Sequence, residues 1–181
     1  MIANLNALSS QAATASNASH SGVICLGELL QRHSEPVASL IEPGLLPASG
    51  ILFIGGEPKL GKSLLAANFA LALASGCSRA GFEVPVSRRV LICQFELPTA
   101  QFAQRLHRMR QPIGSLADSN LFVDTRATGH LLSTPLGLQH FLDSARATNA
   151  EVIVLDPLYS THDQDENDTR AMTALCQSLL R

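Results

Sequence analysis

The sequence predicts an α/β fold in which a parallel β-sheet is sandwiched by helices. Three observations lead there. Short apolar runs recur along the chain: ILFI (51–54), VLICQF (90–95) and EVIVLD (151–156). Runs of that kind are covered on both faces, as strands of a parallel sheet are. Helix-length segments separate them, and a glycine-bounded loop joins the first run to the first long helix.

Taken in order, residues 1–21 are rich in Ala, Ser and Asn without periodicity and read as a mobile tail. LGELLQR (26–32) reads as a short helix, so residues 1–34 form a tail and helix ahead of a core at 35–181. Residues 35–50 contain Pro36, Pro43, Gly44 and Pro47 and read as a lead-in loop. After the strand at 51–54, residues 62–75 read as a helix stopped by Gly76. Its LLAANFALALA is apolar almost all round, which requires cover on both sides. Residues 90–95 are a buried strand. Residues 98–110 are a helix with proline in its first turn. Residues 121–124 form a short strand, 136–148 an amphipathic helix, 151–156 a buried strand and 169–181 a last helix. That last helix reaches Arg181 in mid-pattern without a cap, so the domain is expected to continue past it.

Composition narrows the function. The chain has 181 residues, 46% hydrophobic and 15% charged, which excludes a charged disordered tail as the whole chain. The net charge of −2 gives no global field for nucleic acid, so any DNA contact is local or supplied by an oligomer. The four cysteines lie far apart with no CxxC pair, which reads as reduced thiols in a cytoplasm. The six histidines show no zinc spacing. The first 27 residues carry no Asp, Glu, Lys or Arg and no sustained apolar core, unlike a secretory signal. No apolar stretch is long enough to span a membrane.

The chemistry concentrates in one loop. Gly56-Glu57-Pro58-Lys59-Leu60-Gly61-Lys62-Ser63, followed by Leu64, matches GxxxxGK[ST] between a strand and a helix. The glycines let backbone N–H groups turn inward around phosphate oxygens. The helix N-terminus behind them adds its positive end. Lys62 is placed to reach the β- and γ-phosphates of ATP, and Ser63 to ligate Mg²⁺. Lys59 and Lys62 are the only lysines in the chain; every other fixed cation is arginine.

Two carboxylates complete the pattern. Asp156 ends a buried strand, at the edge of the sheet where ligands bind, and can hold Mg²⁺ through water. An aspartate before Pro157 equally suits a turn. The proline at 157 leaves no Asp-Glu pair there, so another group must orient the attacking water. Glu96 follows the 90–95 strand. If that strand lies beside the 51–54 strand, Glu96 comes within a water of the γ-phosphate. Equally, Glu96 serves as a carboxylate before a helix N-terminus, favourable to its dipole.

IEPGLLPASGILFIGGEPKLGKS, QFELPTAQFAQRLHRM and VIVLDPLYSTHDQDEND together resemble the RecA-like P-loop NTPase core of DnaB-type helicases, nearest the plasmid RepA group of AAA-domain ATPases, over residues 35–181. The resemblance implies that Glu96 is the catalytic base and Asp156 the magnesium aspartate. It implies ATP and Mg²⁺ as cofactors, a homo-oligomeric ring and single-stranded DNA as partner. Cores of that family continue with further strands, a sensor residue and an arginine finger, which have no counterpart within these residues.

Two features are weaker. The acidic stretch 162–168 reads as a solvated loop with Asp168 capping a helix, or as a loop near the nucleotide. Arg105, His107, Arg108 and Arg110 form a basic cluster that suits a solvated helix face, or DNA phosphates. A nucleotide-dependent binding module with little turnover is the alternative to a motor.

Overall fold

The computed structural model describes residues 23–35, 38–48, 50–124, 132 and 134–158. The tail at 1–21, the acidic stretch 162–168 and the helix expected at 169–181 lie outside them. The chain divides into two units, residues 1–36 and 37–181. In the first, α1 (Leu26–Arg32) is a short helix capped by the Cys25 thiol, which accepts from the Glu28 N–H.

The second unit opens with an antiparallel pair, β1 (Ser39–Ile41) and β2 (Leu46–Pro47). A loop is expected over this whole stretch; Pro43 and Gly44 instead turn the chain between two very short strands, the second ending in Pro47. Then follow α2 (Lys62–Ser75), β3 (Val90–Gln94), α3 (Thr99–Arg110), β4 (Leu121–Asp124), α4 (Pro135–Thr148) and β5 (Val152–Asp156). β3 pairs with β4 on one side and β5 on the other, both parallel, giving the order β4-β3-β5. The expected fold class holds: a parallel sheet flanked by helices, as in a RecA-like P-loop domain.

Sequence alternation sorts the two faces of β3, which is buried throughout. Val90 and Ile92 join a core with Phe69, Leu71 and Leu73 of α2 and Phe102 of α3. Leu91 and Cys93 join the opposite core with Phe141 of α4. The all-round apolar face of α2 finds cover accordingly, with Ala66, Ala67 and every residue from Phe69 to Ala74 buried. Gly76 ends α2 at φ 68°, and a Cβ there would stand 2.9 Å from the Ser87 nitrogen. Only glycine suits both demands. The Arg79 guanidinium donates to Asn68 Oδ1 of α2 and to the Met109 carbonyl of α3, tying these helices together.

Phe102 is 1% exposed and is the largest fully buried side chain among the described residues. Phe102→Ala is expected to cost about 3–5 kcal/mol of stability, from lost transfer energy and the cavity left behind. Denaturant unfolding of the two chains measures it; a loss below about 1 kcal/mol would contradict this packing.

One strand is corrected. Residues 51–54 carry no ladder hydrogen bonds, and Ile51 and Phe53 are 44% and 60% exposed. Both edges of β3 are taken by β4 and β5, so the segment does not lie beside β3. It lines a cavity with β5 instead of pairing. Smaller shifts are that Pro98 caps α3 from outside and that β3 stops at Gln94. Among the described residues no helix is long and apolar enough to cross a membrane.

Candidate nucleotide site

The glycine-bounded loop folds into a cradle at the start of α2. Gly61 caps the helix at φ 85°, in the left-handed region that favours glycine. Lys59 also sits at positive φ, 67°, where a side chain costs of order 1–2 kcal/mol per residue. The chain thus accepts local strain to curl the loop over the helix N-terminus. The Lys62 ammonium donates to the carbonyls of Gly56 (2.7 Å) and Glu57 (2.8 Å), which hold it inside the loop. Uncapped N–H groups of a 14-residue helix point at the same place, with no side-chain cap to occupy them.

Ninety-three positions of chain separate Ser63 from Asp156, yet the sheet brings them together. Ser63 Oγ donates to Asp156 Oδ1 at 2.9 Å, joining the first turn of α2 to the end of β5. Asp156 is 7% exposed. A cavity of about 930 Å³ opens here. Pro58, Lys59, Gly61, Lys62, Ser63, Leu64, Glu96 and Asp156 all line it. Gly56 and Glu57 contribute through their carbonyls, as above. Leu60 is 70% exposed and points no contact into the cavity wall.

Glu96 reaches this cavity by a different route from the one expected. The 90–95 strand is not beside residues 51–54; it is the centre of the sheet, next to β5. The turn after β3 carries Glu96 to the wall shared with Lys62 and Asp156. Of the basic cluster, Arg105 lines the same cavity, whereas Arg110 pairs with Asp118 Oδ2 at 2.6 Å.

Gln94 was missed. It is 3% exposed and sits opposite Asp156 in the ladder. Its Nε2 donates to Asp156 Oδ2 at 3.4 Å, while its Oε1 accepts from the N–H groups of Glu96 and Leu97. The only sequence signal was a polar residue closing an otherwise apolar run.

A family model described as AAA domain matches residues 25–181. The chain belongs to the AAA domain family. No curated protein and no solved structure matched it. Membership makes this an AAA-type P-loop ATPase domain.

A second polar cluster lies across β3 from the cavity in this AAA domain. The Cys93 thiol is pushed up to about 12, first by burial and then by the Asp124 charge. It is therefore a neutral thiol and a poor nucleophile. Asp124 accepts from Ser144 Oγ at 3.1 Å, and His140 Nε2 stands 3.7 Å from it, so these groups anchor α4 to β4. Among the described residues no group of three or more His, Cys, Asp or Glu is arranged to hold a metal ion.

Proposed function

We propose that this chain binds ATP with Mg²⁺ in the cavity between Lys62 and Asp156 and hydrolyses it to ADP and phosphate. The observation that carries this is the 2.9 Å contact of Ser63 with Asp156, beside the Lys62-filled loop. A hydroxyl and a single carboxylate are hard oxygen donors, and Mg²⁺ typically takes few protein ligands and completes its shell with phosphates and water. The residues present fit that ion. When bound, it would neutralise charge on the β- and γ-phosphate oxygens.

The chain's own groups supply the rest. The loop N–H groups and the α2 terminus bind phosphate oxygens. Lys62 holds charge that builds toward the leaving β-phosphate oxygen. Glu96 accepts a hydrogen bond from a water and takes its proton. The water oxygen bonds to the γ-phosphorus, and the bond to the bridging oxygen breaks with its electron pair leaving on ADP.

Beyond ATP turnover, the resemblance to DnaB-type and RepA-like ATPases supports a ring of subunits working on single-stranded DNA. Phosphate release tests both levels. The expected result is turnover with Mg²⁺, abolished by EDTA, raised by single-stranded DNA, and lowered roughly 100-fold or more in Asp156→Asn. Equal rates in Mg²⁺ and EDTA would overturn the magnesium reading, and indifference to DNA the motor reading.

A further inference from the structure

Gln94 joins two places that the proposed reaction needs held apart and in step. We propose that it is a positioning residue that fixes the Glu96 turn to the Asp156 carboxylate. The inference rests on the ATPase reading and adds a residue to it.

A side-chain amide donates at its nitrogen and accepts at its oxygen. Here both ends are used. Nε2 donates to Asp156 Oδ2, leaving Oδ1 to accept from Ser63. Oε1 accepts from two successive backbone N–H groups, those of Glu96 and Leu97. These N–H groups lie in the turn between β3 and α3, where no strand or helix satisfies them; both bonds are part-buried, and removing the acceptor loses them. One side chain, 3% exposed, thus sets the backbone of Glu96 and the rotamer of Asp156. Leucine or methionine would fill the same space and hold neither. Glutamate would keep the acceptor and lose the donor, setting a second carboxylate against Asp156.

These differences make the test. Gln94→Met and Gln94→Glu are compared with the wild-type chain by amide hydrogen exchange without nucleotide and by steady-state turnover. In Gln94→Met, the Glu96 and Leu97 amides are expected to exchange about 10-fold faster or more, while the centre of β3 keeps its protection. Its kcat is expected to fall about 10- to 100-fold, with KM for ATP changed less than about 3-fold. In Gln94→Glu the two amides stay protected, because the acceptor is kept, while kcat falls about 10-fold or more, because the donor to Asp156 Oδ2 is lost. Wild-type exchange at both amides in Gln94→Met would overturn the proposal whether or not the chain turns over ATP. So would an unchanged kcat, or equal losses in kcat and ATP affinity. A wild-type chain that binds no ATP would overturn the ATPase reading itself, which the exchange measurement does not depend on. Should Gln94→Met fail to fold, Gln94→Glu decides alone: loss of protection at Glu96 and Leu97, or an unchanged kcat, would overturn it.

Discussion

Lys62→Ala is expected to weaken ATP binding about 100-fold, close to 3 kcal/mol. Two losses combine. The variant removes the ammonium that the loop places beside the phosphates, a charge-assisted contact of the stronger kind. It also removes the two hydrogen bonds to the Gly56 and Glu57 carbonyls that hold the loop closed. Lys62 is half-exposed at the first position of α2, so the fold should survive the change. Equilibrium titration with a fluorescent ATP analogue measures the effect, with thermal unfolding as the check on folding. Affinity within about 3-fold of wild type would remove Lys62 from the site.

Glu96→Gln is expected to keep ATP binding and lose turnover by roughly 10²–10⁴-fold, the usual worth of a general base. The amide matches the carboxylate in shape and can still point at a water, but it does not take a proton. The backbone N–H of Glu96 stays on Gln94, so the turn keeps its place. Single-turnover phosphate release separates binding from chemistry. Wild-type turnover in this variant would leave Glu96 as no more than a carboxylate favourable to the start of α3.

Much of this architecture is legible in the residues because its signals are local. α2 is legible from a long apolar run stopped by Gly76, α4 from amphipathic spacing, and β3 and β5 from unbroken apolar runs. The phosphate loop is legible for the same reason: its chemistry lies within eight consecutive residues. What stayed hidden is non-local. Residues 51–54 have the composition of a buried strand, but strand order decides whether a ladder partner exists, and composition does not carry that order. β1 and β2 are too short to show alternation amid Pro43, Gly44 and Pro47. Glu96 was found by its position after a strand, although its path to the cavity was drawn through the wrong neighbour. Gln94 looked like a strand ending; only the register that sets it against Asp156 shows its two partners.

The most direct measurement is calorimetric titration of the intact chain with ATP in the presence of Mg²⁺. The cavity built from Lys62, Ser63, Glu96 and Asp156 predicts one ATP per chain, with affinity that drops when Mg²⁺ is removed. Absence of binding up to about 1 mM ATP, weaker than roughly 4 kcal/mol, would contradict it.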